Sequence, residues 1–204
     1  MNSGNKIVII TATIILLVGG IALWHFKTNQ TNNSSGFTEA PKGGDFTLQS
    51  ASGPFSLKAQ RGKVVLLYFG YTHCPDVCPT TLTGIAQAFK ALKKNELAQV
   101  EAVFVSVDPE RDSPKKLAAY TKFFSPSIIG VTGTPRQIAR VAKQFGAVYR
   151  KVKNPSGKGY LISHSANTYV IAPDGTLNTI FPDATPPRKI DQVIRSLLTQ
   201  GQNK

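Results

Sequence analysis

Cys74 and Cys78 are the only cysteines of the chain, and they sit in the run Tyr71-Thr72-His73-Cys74-Pro75-Asp76-Val77-Cys78-Pro79. Two thiols this close point to a metal or redox site more than to a structural staple. The redox signature of thioredoxins has two residues between its cysteines. Here three intervene, which leaves room for a metal ion between the sulfurs. Two thiolates are soft donors and select Cu(I) or zinc. Structural zinc takes four protein ligands, and the chain offers no third cysteine. Outside the N-terminal apolar segment its histidines are His73 and His164. Two thiolates with one imidazole suit Cu(I) at low coordination number. Zinc completed by water and a simple disulfide stay open beside it, and oxidation to the disulfide would eject a metal.

The chemistry needs elements that present it. Lys63 to Gly70 (KVVLLYFG) is a continuous apolar run rich in β-branched and aromatic residues, as expected of a central strand covered on both faces. The cysteine motif follows it directly. After Cys78, Leu82, Ile85, Ala86 and Phe89 recur at helical spacing. The cysteines therefore stand between a strand's carboxyl end and a helix's amino end, where α/β proteins place their chemistry and where the helix dipole favours thiolate. Pro79 has no N–H and belongs in a first helical turn, which predicts Cys78 as the cap residue.

Further on, Val100 to Val107 is a second buried strand, closed by Asp108 in Val107-Asp108-Pro109-Glu110-Arg111-Asp112. Asp108 is a candidate outer partner of the metal ligands; it reads equally as a turn-forming residue held by Arg111. Ser113-Pro114 starts a helix with Ser as cap, Ile128 to Val131 is a short strand, and Thr134-Pro135-Arg136-Gln137 is a capping box whose helix Gly146 closes. Ala147 to Val152 and Tyr160 to Ile162 flank a Gly/Pro/Lys loop. Thr168 to Ala172 and Thr176 to Phe181 pair across Pro173-Asp174-Gly175, and a last helix starts near Pro186. At the front, Gly44 to Leu57 reads as a hairpin around Ser52-Gly53-Pro54. Alternating strands and helices followed by an antiparallel hairpin predict an α/β fold with a thioredoxin-like mixed sheet flanked by helices.

Ile7 to Phe26 carries no Asp, Glu, Lys or Arg. Its length matches the ~20 residues of a membrane-crossing helix, and it lacks the small-residue cleavage site of a signal peptide. The expected organisation is a transmembrane anchor over residues 1–27, a flexible linker over 28–43 and the globular domain over 44–204. A single-pass protein of the inner, cytoplasmic membrane follows, with its domain on the periplasmic or extracytoplasmic side. The chain has 24 Lys+Arg against 11 Asp+Glu, a formal net charge of +13. Such an excess suits an acidic partner or a merely solubilising surface. With no phosphate loop, zinc-finger spacing or long basic tract, nucleic acid is the weakest reading.

The stretches GDFTLQSASGPFSL, RGKVVLLYFGYTHCPDVCPTTL, VFVSVDPERDSP, IGVTGTP and HSANTYVIAPDG resemble the SCO/SenC family of copper chaperones for cytochrome c oxidase. YTHCPDVCPTT joined to a downstream histidine is far more specific than a bare C-x-x-x-C. The resemblance implies copper, as Cu(I) or Cu(II), on Cys74, Cys78 and His164, a redox disulfide between Cys74 and Cys78, and a thioredoxin fold with an added N-terminal β-hairpin. It also implies delivery of copper to the copper A subunit of the oxidase, with another copper chaperone or a thiol reductant as further partners. In thioredoxin-like folds the loop entering the strand before the last hairpin lies against the cysteine turn. His164 falls in that loop, so it is expected to reach the sulfurs while His73 points elsewhere. The competing function is a thiol–disulfide oxidoreductase that reduces the copper A cysteines, which needs the same thiols but not His164.

Overall fold

The computed structural model describes residues 41–157 and 159–201. The predicted anchor over residues 1–27 lies outside them, as does most of the predicted linker. Among the described residues, no helix is long and apolar enough to cross a membrane.

The central sheet has five strands in the order β5-β4-β3-β8-β9, where β3 is Val64–Gly70, β4 Val100–Ser106, β5 Ile128–Val131, β8 Thr168–Ile171 and β9 Leu177–Phe181. Strands β3, β4 and β5 run parallel, whereas β8 is antiparallel to β3 and β9 antiparallel to β8. All seven residues of β3 are buried, as a strand covered on both faces requires. The sheet is mixed and flanked by helices, as its sequence pattern predicted.

The helices start where their caps place them. Helix α1 spans Val77–Lys90 and buries Leu82, Ile85, Ala86 and Phe89; the short α2 spans Lys94–Leu97. In α3 (Pro114–Phe124), the Ser113 hydroxyl accepts from the Lys116 N–H. In α4 (Pro135–Phe145), Thr134 and Gln137 form the full capping box, and Gly146 ends the helix at φ 68°. A left-handed residue there is what a glycine allows. Helix α5, Pro187–Gly201, buries Ile190, Ile194, Leu197 and Leu198 and packs against α1.

Two small hairpins complete the domain. β1 (Thr47–Ser50) and β2 (Gly53–Ser56) pair antiparallel at the front, and an isolated bridge ties Gln49 to Thr132 beside β5. β6 (Tyr149–Lys153) and β7 (Tyr160–His164) pair as a separate two-stranded sheet. The chain is already bonded to the domain before β1, because the Gly43 N–H donates to the Gln144 carbonyl at 3.1 Å.

Two local expectations are corrected. Cys78 is not the cap of α1: the helix begins at Val77 with Asp76 as its cap residue, so Cys78 lies inside the first turn and Pro79 just after it. The physical reason stands, since none of the first-turn N–H groups has an intrahelical partner and a proline there costs no bond. His164 is not a loop residue; it ends β7, opposite Tyr149. Ladder pairing extends that strand beyond Ile162, so strand geometry aims the imidazole.

Candidate metal centre

Strand β3 ends at Gly70 and the chain turns immediately, with the Cys74 N–H donating to the Tyr71 carbonyl at 3.2 Å. The turn feeds α1, whose first residues include Cys78. Strand β7 brings in the third group. Nε2 of His164 lies 3.4 Å from Cys78 Sγ and 3.9 Å from Cys74 Sγ. All three donor atoms fall within 4.8 Å of one another, and among the described residues this is the one group of three or more His, Cys, Asp or Glu donors so arranged. Bonds of about 2.0–2.3 Å to one central ion in a trigonal plane would separate the donors by about 3.7 Å. The separations here match a three-coordinate ion with little rearrangement.

The imidazole is poised as a ligand. Its Nδ1 lies 3.1 Å from the Ser165 carbonyl oxygen. A carbonyl only accepts, so Nδ1 carries the hydrogen and the Nε2 lone pair faces the sulfurs. The ring stands edge-on to two tyrosines, with centroids 6.2 Å from Tyr68 and 5.8 Å from Tyr71. Tyr71 also accepts the Ile162 N–H at 3.1 Å, which fixes β7 two residues before the ligand.

The two thiols are free and unequal. Cys78 is wholly buried, whereas Cys74 and His164 are half-buried. The Cys78 thiol donates to Cys74, and with the backbone N–H groups of Asp76 and Cys78 it brings the Cys74 pKa down to about 4. One of those N–H groups is that of Cys78 itself, 3.5 Å from Cys74 Sγ. Burial, then the charge on Cys74, pushes the Cys78 thiol up. At neutral pH the pair therefore holds one proton and one negative charge. Tyr68 directs its hydroxyl to Cys78 Sγ at 3.9 Å, and burial raises its own pKa so that it stays a donor.

Gly70 is required by this packing. A Cβ at that position would stand 2.7 Å from Cys78 Sγ and 2.7 Å from the Phe104 ring. No side chain fits between the end of β3 and the buried sulfur.

His73 is exposed and turned away: its Nδ1 lies near the Thr72 hydroxyl (3.3 Å) and Lys116 Nζ (3.4 Å). Asp108 is buried and does not touch the three donors. Its carboxylate accepts from Arg111 Nε and, at 2.7 Å, from the Tyr160 hydroxyl at the start of β7. It thus acts both as a turn residue held by Arg111 and as a tie to the strand that carries His164. Sequence reasoning missed Gly70, Tyr68, Tyr71 and Asp112. Only Gly70 carried a signal, a glycine closing an otherwise bulky strand one step before the motif.

Comparison with known proteins gives a family match. A family model described as SCO1/SenC matches residues 35–199. The mitochondrial SCO2 homolog of Bos taurus is 36% identical over 154 residues, covering 74% of this chain and 58% of the relative. The chain thus spans about six tenths of that relative's length. Protein SenC of Rhodobacter capsulatus is 35% identical over 206 residues, covering 95% of this chain and 91% of SenC. Among solved structures, Arabidopsis thaliana ScoI with copper bound is 34% identical, with a TM-score of 0.71 over 78% of this chain and 98% of that one. BsSco is 28% identical, with a TM-score of 0.61 over 78% of this chain and 95% of that one; it is described as having a disulfide switch and as a member of the Sco family of cytochrome c oxidase assembly proteins.

Proposed function

Because the chain belongs to the SCO1/SenC family, we propose that it is a copper chaperone, which binds Cu(I) through Cys74, Cys78 and His164 and delivers it to the copper A centre of cytochrome c oxidase during assembly. The observation that carries this reading is the convergence of two thiols and one imidazole nitrogen within 4.8 Å. Two sulfurs and a nitrogen are a soft donor set, and similar proteins have been solved with copper bound. Copper is here the cargo.

The inequality of the ligands suits handover. Cys74 is already a thiolate at neutral pH, so it is the entry ligand. Cys78 must lose its proton to complete the site, and it is the deepest donor. An acceptor's ligand approaches from the half-exposed side of Cys74 and His164, which leave first; Cys78 leaves last and takes a proton back. A three-ligand site keeps a side open for this exchange. The apolar segment over residues 7–26 would anchor the domain to the inner membrane, on the extracytoplasmic side where the oxidase subunit presents its copper A site.

The test is transfer. The reduced, Cu(I)-loaded full chain mixed with a copper-free copper A domain should lose its copper to that domain, while Cys78→Ser should have none to give. Copper retained by the chaperone at equilibrium would contradict delivery.

A second reading, reduction of the partner's cysteines, is favoured by the depressed Cys74 thiol. His164→Ala separates the two: a reductase keeps its thiol exchange, and a copper carrier loses its function.

A further inference from the structure

We propose that Asp112 is a positioning residue for the metal centre: it grips Thr72, and through Thr72 sets where the Cys74 sulfur stands relative to His164. The affinity part of the test rests on the copper reading above; the geometry does not.

Asp112 has 0% exposure, and both of its oxygens are used. Oδ2 accepts from the Thr72 N–H at 2.9 Å and from the Ser106 hydroxyl at 2.7 Å. Oδ1 accepts from the Thr72 hydroxyl, with Lys116 Nζ at 3.5 Å and His73 Nδ1 at 3.9 Å. A carboxylate that only stapled its own turn would need local donors alone, such as Ser106. Instead two of its bonds end on one residue forty positions earlier, in the turn that presents Cys74. Hydrogen bonds to an ionised acceptor are the strong ones, and a buried carboxylate satisfied this way holds its partners firmly.

The neighbouring residue grips the other half of the site. Arg111 donates through Nη1 to the Tyr160 carbonyl at 2.9 Å, and its guanidinium lies 3.7 Å from the centroid of the Tyr160 ring. Tyr160 opens β7, and His164 ends it. Lys116 Nζ then donates to the Arg111 carbonyl at 3.0 Å. One loop, between β4 and α3, therefore holds the cysteine turn with Asp112 and the histidine strand with Arg111. The spacing between the sulfurs and the imidazole is set by that shared bracket and not by β3 and β7 alone.

The experiment uses the full chain and four variants: Asp112→Asn, Thr72→Val, Thr72→Ser and the Asp112→Asn/Thr72→Val double. Cu(I) affinity is read by ligand competition. The 15N signals of the His164 ring are read in the metal-free, reduced protein. Asp112→Asn and Thr72→Val should each weaken Cu(I) binding about 10- to 100-fold, the range for outer partners of metal ligands, and should move the His164 ring signals. Thr72→Ser should keep parental values in both. The double variant should be no weaker than the worse single variant, because the two residues act as one unit. Parental affinity and unmoved ring signals in both Asp112→Asn and Thr72→Val would overturn the proposal, as would losses that simply multiply in the double variant. If Asp112→Asn does not fold, the contrast between Thr72→Val and Thr72→Ser decides. If the parent binds no Cu(I), the copper reading fails instead, and the ring signals alone decide the positioning role.

Discussion

The Nε2 atom of His164 stands 3.4 Å from the sulfur of Cys78, although the two residues are 86 positions apart in the chain. One is set by the first turn of a helix and the other by the last residue of a strand. Their meeting is a tertiary event, and replacing His164 tests its worth. His164→Ala should lower Cu(I) affinity by at least about 100-fold, the upper end for removing an outer partner, while both thiols still react with a thiol reagent. Competition titration checks the affinity, and thiol counting checks that the pair survives.

The unequal thiols predict a pH profile. With the Cys74 pKa at about 4, alkylation of Cys74 by iodoacetamide should be nearly flat from neutral pH down to mildly acidic pH, and should fall only as pH drops through that value. Cys78, pushed the other way by burial, should stay unmodified. Cys78→Ala removes the thiol that donates to Cys74, so the inflection should move up toward the ordinary thiol value of about 8.5. Mass spectrometry of the quenched reaction reads each site separately.

Copper binding should release a proton. The free pair holds one proton at neutral pH, and both sulfurs must be thiolates to ligate, so Cu(I) uptake should expel about one proton per ion. The sign follows: affinity rises with pH, by about tenfold per unit, between the two thiol pKa values. Calorimetry in buffers of different ionisation enthalpy measures the proton count; a count of zero would mean that Cys78 binds unionised or not at all.

Gly70→Ala should disturb the site without replacing a ligand. Its Cβ would lie 2.7 Å from Cys78 Sγ and from the Phe104 ring. Overpacking of this kind costs about 1–3 kcal/mol. Denaturant melts should show the destabilisation, and the Cu(I) affinity should drop with it.

Much of this was legible in the sequence because the signals are local. The apolar run of β3, the cap residues of α3 and α4, and Gly146 each state their element within a few neighbours. The cysteine pair announced a soft-metal or redox site by spacing alone. What stayed hidden depends on distant pairing. His164 could be attached to the cysteines only through family resemblance, and its place at the end of β7 depends on the ladder with β6. Asp112 looked like one acidic residue in a turn, and its bonds to Thr72 span forty residues. The start of α1 was misplaced by two residues because Pro79 is tolerated anywhere in a first turn.

X-ray absorption at the copper edge tests the central claim most directly. The reduced full chain loaded with one equivalent of Cu(I) should show two sulfur neighbours and one imidazole nitrogen, and His164→Ala should lose the nitrogen alone. A nitrogen shell that persists unchanged in His164→Ala, or a copper ion bound by sulfurs from two chains, would contradict the three-residue centre.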